Sequence, residues 1–254
     1  MKKIDDKELL FDLNVFGRRR SGLLSIFEKW LNEAKELHVV YTPNPEQIIQ
    51  SRGNHKFKQA LKKADLLLPD GVGLVWASNF LALFGKAKPL SERIAGVDVV
   101  ADLLELARQR DLEVLVIGGR DYSPADYFAY KGTKVSWTAG YKSALEPTTK
   151  EKKQLEENIA RIKPDLVFVA FGAPTQELWI EKNRTLLTKN KVMIAMAVGG
   201  SFDYLLNKVP RAPHWFRKLG LEWLFRLMVE PWRLKRQLRL ILFIILTIKK
   251  AIEK

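Results

Sequence analysis

Asp70 is the residue whose surroundings best suit it to acid–base work. It lies in LLLPDGVGLVW, residues 66–76, between an apolar run and a glycine turn. A carboxylate held at the mouth of a pocket and partly buried has its pKa raised toward that of a general base. The same position suits a simpler role, capping the following helix or bracing the turn. Arg93, in SERIAG, offers a planar fork that could pair with a diphosphate, and an isolated arginine also serves as an ordinary surface residue. The glycine pairs Gly118-Gly119 and Gly199-Gly200 would let backbone amides approach a phosphate, although structural turns explain either pair alone. The chain has no cysteine, which excludes thiolate nucleophiles and zinc–cysteine sites. His38, His55 and His214 are dispersed, so no metal site is predicted.

The elements that would position these residues are legible from apolar runs. Five short runs rich in β-branched residues, at 38–41, 66–68, 114–117, 166–171 and 192–198, each end in a turn and lead into a helix-compatible stretch. They lack in–out alternation, so they read as parallel strands buried on both faces. A further short strand is expected near Lys134–Trp137. Alternating strands and helices imply an α/β, Rossmann-like, mostly parallel sheet flanked by helices. Asn44, Pro45 and Gln47 fit the cap, first turn and capping-box positions of one helix, and Pro174 can open another. Such a sheet gathers its strand-to-helix loops along one edge, where open α/β folds bind ligands. That edge would collect Thr42 and Asn44, Asp70 and Gly71, 118–120, 172–176 and 199–203. The proline-rich VPRAPHW segment suggests a boundary, with a catalytic domain over 1–209 and an appendage over 210–254.

Charge narrows the class of partner. The net charge is +14, and residues 208–254 alone carry twelve Lys/Arg against Glu222, Glu230 and Glu253. Trp223, Arg226, Glu230, Arg233 and Arg236 recur three or four residues apart, interleaved with apolar positions, before the apolar run at 240–247. That run is far shorter than the roughly 20 residues a bilayer span needs. Basic and aromatic residues on an amphipathic helix suit an anionic membrane surface, each Lys or Arg adding about 1 kcal/mol. Packing against the domain or forming a homo-oligomer are the competing uses of that helix. The N-terminus lacks a signal-peptide pattern, so the chain is expected not to be exported. Nucleic acid is the less suitable polyanion, because the basic cluster adjoins an apolar tail. A nicotinamide-type oxidoreductase is disfavoured by the missing G-x-G-x-x-G fingerprint.

Six ordered blocks, TPNPE, ADLLLPDGVGLVWAS, ERIAG, FVAFGAPTQELWI, VGGSFDYLLNKVPRAP and LGLEWLFRLMVEPWRLKR, together resemble the WecG/TagA/CpsF glycosyltransferase family from about Leu37 to Arg236. The resemblance implies an inverting, metal-independent transferase with no cofactor, acting at the cytoplasmic face of the membrane as a peripheral protein. Its donor would be a UDP-sugar, often of N-acetylmannosamine or its uronic acid, and its acceptor an undecaprenyl-diphosphate-linked sugar. Carried onto this chain, it makes Asp70 the base and puts Thr42, Asn44, Arg93 and Gln176 around the sugars and diphosphate. Gly200 and Asp203 would lie on the nucleotide side, and Arg217, Arg226 and Arg233 of the appendage would meet the leaving diphosphate. A membrane adaptor that kept the fold and lost the chemistry is the non-catalytic alternative. The sequence departs from the family pattern in an apolar stretch between Trp76 and Arg93 and in its hydrophobic tail after Arg236.

Overall fold

The computed structural model of the protein describes residues 7–33, 36–123, 125–218, 220–229, 231 and 234–253. Strands β3 (His38–Tyr41), β4 (Leu66–Leu67), β5 (Val114–Gly118), β6 (Tyr127–Tyr130), β7 (Thr133–Thr138), β8 (Leu166–Ala170) and β9 (Ile194–Ala197) form one sheet. Their order is β4-β3-β9-β8-β5-β7-β6, and only β6 runs antiparallel to its neighbour. All five expected runs are strands, as is the expected one near Lys134–Trp137. The central strands β5, β8 and β9 are buried at every residue, which is what two helical layers require of runs without alternation.

Two cores follow from the two faces. On one face, α2 (Pro45–Gly53), α3 (His55–Lys63), α4 (Val72–Ala82), α6 (Thr149–Ile162), α7 (Thr175–Lys182) and α8 (Arg184–Lys189) lay down Ile48, Phe57, Leu74, Leu155, Ile180 and Leu187 against Val39, Ile117, Val167 and Ala195. On the other, α1 (Leu23–Asn32), α5 (Gly96–Arg110) and α9 (Ser201–Leu205) bury Phe27, Val100, Leu104 and Phe202 against Val40, Val116 and Phe168. The capping box at α2 is formed: Asn44 Oδ1 accepts from Gln47 N, and Gln47 Oε1 accepts from Asn44 N, both at 3.0 Å. Pro174 stands at the cap position of α7, one residue before the helix begins.

An antiparallel hairpin, β1 (Lys7–Leu10) with β2 (Leu13–Phe16), precedes the sheet. The C-terminal segment folds into α10 (His214–Lys218), α11 (Glu222–Val229) and α12 (Leu234–Ile252). Helix α12 lies on α2 and α4, where Phe243 is 2% exposed and meets Phe11 edge-on with ring centroids 5.1 Å apart. Arg239 reaches Glu46 at 2.8 Å and Lys250 stands 3.7 Å from Asp12.

Candidate active site

Asp70 is set by the short strand β4. Past that strand the chain still follows β3: Leu68 N donates to Tyr41 O and Asp70 N to Pro43 O. The following turn needs Gly71, whose φ of 107° is a conformation an L side chain rarely adopts. Helix α4 then starts so close to α2 that a Cβ on Gly73 would stand 2.7 Å from Pro45 Cγ. These constraints hold the Asp70 loop against the Asn44–Pro45 turn. The cap of α4 is Gly71, with no side-chain hydrogen bond, so Asp70 does not serve as its cap. Instead Asp70 Oδ1 accepts from Arg93 Nε and Nη2, both at 3.2 Å.

Arg93 is held between two acids. Its Nη1 lies 2.6 Å from Glu222 Oε2 of α11. Glu222 Oε1 is also 3.8 Å from Arg211 Nε, and Arg211 Nη1 donates to Asp98 of α5 at 2.7 Å. Arg20 continues the series onto Asp98 and Asp102. Acid and base alternate from Asp70 to Asp102, so the C-terminal segment is tied electrostatically to the Asp70 loop. Burial pushes the Asp70 carboxyl above the ordinary carboxylate range; Arg93 opposes that and Glu222 adds to it. A carboxylate in that state accepts a proton more readily than a free aspartate does, which is the property a general base requires.

Thr42 leads out of β3 beside the start of α5, where a Cβ on Gly96 would be 3.1 Å from Thr42 Oγ1. Asn44 shares this loop, its Oδ1 engaged by the cap of α2. Gln176 lies beneath the edge, 4% exposed, and its Oε1 accepts from Gly172 N at 3.1 Å and Gly199 N at 3.0 Å. It therefore joins the loops after β8 and β9. Gly200 is the cap residue of α9, and Asp203 on that helix accepts from Tyr122 Oη at 3.1 Å and faces Arg120 Nε at 3.3 Å. Tyr122 also lines a cleft of about 450 Å³ with Asp121, Ser123, Trp137 and Lys208. The strands leading to Asp70 and to this cleft, β4 and β5, are four positions apart in the sheet, roughly 19 Å at the usual interstrand spacing.

Arg217 Nε donates to Ala212 O at 3.1 Å, and its charge acts on Asp98. The side chain of Arg226 and the whole of Arg233 lie outside the described residues. Sequence reasoning missed Glu222 and Arg211, which join the site only through tertiary contact. One signal for Glu222 was available, an acid standing in an otherwise basic segment. Among the described residues, no group of three or more His, Asp or Glu is placed to hold a metal ion.

The acid–arginine cluster stands at the carboxyl edge of an open, mostly parallel sheet, the edge at which folds of the Rossmann-like class bind their ligands. The chain belongs to the WecG/TagA/CpsF glycosyl transferase family, whose model matches residues 9–254, and is thus a glycosyltransferase. It is similar to the N-acetylglucosaminyldiphosphoundecaprenol N-acetyl-beta-D-mannosaminyltransferase of Bacillus spizizenii, at 35% identity over 214 residues covering 82% of this chain and 77% of that protein. The Bacillus subtilis protein of the same name is 30% identical over 253 residues, 97% of this chain and 93% of its own length. A third, from Staphylococcus aureus, is 28% identical over 257 residues, covering 99% and 94%.

Proposed function

We propose that the protein transfers N-acetylmannosamine or a related sugar from a UDP-sugar to an undecaprenyl-diphosphate-linked N-acetylglucosamine, with inversion at the anomeric carbon. The observation that carries the base-assisted transfer is the Asp70–Arg93–Glu222 cluster at the carboxyl edge of the sheet, and the named activity of the relatives supports the sugars and the lipid. Asp70 takes the proton from the acceptor hydroxyl as that oxygen bonds to the anomeric carbon; the bond from that carbon to UDP breaks and UDP leaves with the electron pair. Thr42 and Asn44 border the acceptor end. Asp203, Gly200 and the Tyr122–Trp137 cleft suit the nucleotide end, where Tyr122 and Trp137 supply apolar faces and Ser123 and Lys208 supply polar ones. The leaving diphosphate needs positive charge, and on this reading Arg217, Arg226 and Arg233 provide it without a metal or cofactor.

A peripheral attachment to the anionic cytoplasmic leaflet fits the lipid-linked acceptor. No helix among the described residues is long and apolar enough to cross a membrane. Helix α12 nevertheless turns Leu238, Ile241, Leu242, Ile245 and Ile248 outward, and Trp76 of α4 and Phe84 just beyond that helix are exposed as well. Lys249 and Lys250 follow at the end of α12. Apolar and basic residues combined in this way favour the interface of an anionic bilayer.

The test is incubation of the full chain with a panel of UDP-sugars and a prenyl-diphosphate N-acetylglucosamine, followed by mass analysis of the lipid. One donor should add a single N-acetylhexosamine to the acceptor. Absence of any product with every donor would overturn the assignment of substrates.

A further inference from the structure

Glu177 follows Gln176 on α7 and takes no part in the mechanism above, yet it is 1% exposed. The hydrogen bonds around it fix its role. Gln176 commits its Oε1 to Gly172 N and Gly199 N, and Gln47 commits its Oε1 to Asn44 N. Both glutamines must therefore turn their amide NH₂ groups elsewhere, and both donate to Glu177 Oε1, from Gln176 at 3.0 Å and from Gln47 at 3.4 Å. Oε2 makes no hydrogen bond to the described protein.

Among the described residues, the ionisable neighbours supply no cation to Glu177. Tyr41 of β3 donates to the Glu177 backbone carbonyl at 3.2 Å and to Glu181 Oε1 at 3.3 Å. Arg184 of α8 and Lys63 of α3 are both turned to Glu181, at 2.8 and 3.9 Å. An ionised carboxylate enclosed without a cation carries a large desolvation cost. The pattern suits a neutral acid, with Oε1 as the doubly accepting carbonyl oxygen and Oε2 carrying the proton.

We propose that Glu177 is a positioning residue for the transfer, a protonated hub that locks together the three loops bordering the substrates. Through Gln47 it holds the loop of Thr42 and Asn44; through Gln176 it holds Gly172 and the Gly199–Gly200 turn. Burial pushes its carboxyl up to about 7, with the Gln176 hydrogen bond opposing, so the hub is neutral below that pH and charges above it. This inference rests on the transferase reading, since positioning is meaningful only if transfer occurs.

The test compares wild type, Glu177→Gln and Glu177→Ala in full-length protein, by kcat and KM for lipid-acceptor transfer and by thermal unfolding, from about pH 4.5 to about pH 9. Glutamine reproduces the neutral acid, with Oε1 accepting and an NH₂ in place of the hydroxyl. Glu177→Ala should lose on the order of 100-fold in kcat, as a displacement of about 1 Å at a site does, with KM much less affected. Wild type should show an alkaline fall in kcat near pH 7, and Glu177→Gln should restore most of the loss seen in Glu177→Ala and lack that fall. The melting temperature of wild type relative to Glu177→Gln should decline between about pH 4.5 and about pH 7, because the folded pKa lies above the ordinary value. A Gln variant as impaired as the Ala variant, an alkaline limb shared by wild type and Gln, or a folded Ala variant with wild-type kcat would each overturn the proposal. If the Ala variant does not fold, the comparison of wild type with Gln still decides. Should wild type transfer no sugar at all, the transferase reading fails, and the melting series separately tests the protonated hub.

Discussion

Helix α12 has two faces, and opposite substitutions on them separate packing from membrane contact. Phe243 is buried against Phe11 and the start of α4, so Phe243→Ala removes a full aromatic side chain and leaves a cavity. The loss should be about 3–5 kcal/mol, of which the edge-on ring pair accounts for roughly 0.5–1.5 kcal/mol. For a chain of this length the melting temperature should then fall by roughly 6–20 °C. Leu242 and Ile245 are 50% and 56% exposed on the other face. Replacing both by Asp removes little packing, and each change should alter stability by less than about 0.5 kcal/mol. It should nevertheless weaken binding to anionic vesicles by at least about 3 kcal/mol, roughly 100-fold in partitioning, from lost apolar burial and added like charge. Calorimetry and co-sedimentation with phosphatidylglycerol vesicles read the two effects independently. The reasoning is refuted if the Leu242/Ile245 variant melts many degrees lower yet still binds vesicles, or if Phe243→Ala melts like wild type.

Glu222→Gln should shift the acid limb of kcat to lower pH, since the Glu222 charge adds to what burial does to Asp70; a shift to higher pH in the rate profile would contradict the cluster as described. Arg93→Lys keeps one charge but cannot bridge Asp70 and Glu222 with a planar fork, so kcat should fall at least tenfold, about 1.4 kcal/mol of barrier. Gly73→Ala puts a Cβ 2.7 Å from the Pro45 ring and should cost about 1–3 kcal/mol in thermal unfolding, as overpacking does.

The legible parts of this fold are those encoded locally. Five uninterrupted apolar runs announce strands because a sheet covered on both faces has no wet side, and Asn44-Pro45-x-Gln47 announces its helix because the cap is a four-residue interaction. The β1–β2 hairpin escaped notice because its turn is built from Phe11 and Asp12, at φ 51° and 65°, instead of the usual Asn-Gly or Gly-containing pair. Burial of Phe11 against Phe243, more than two hundred residues away, offsets that unfavourable backbone, and no local pattern reports such a contact. At the site, the position of Asp70 after a buried strand was readable, but whether it caps a helix or faces an arginine was not. The partnership of Glu222 with Arg93 spans distant segments, and the hydrogen bonds by which the adjacent Gln176 and Glu177 join three loops form only when those loops meet.

Asp70→Asn tests the central claim most directly. The amide keeps the size of the side chain and an oxygen for Arg93, but it cannot take a proton from the acceptor. With the donor that supports transfer and a prenyl-diphosphate N-acetylglucosamine acceptor, acceptor-dependent UDP release should fall by about 10²–10⁴-fold while KM for the donor changes little. A folded Asp70→Asn protein that keeps more than about a tenth of the wild-type rate would contradict Asp70 as the base, because base removal costs at least about 10²-fold.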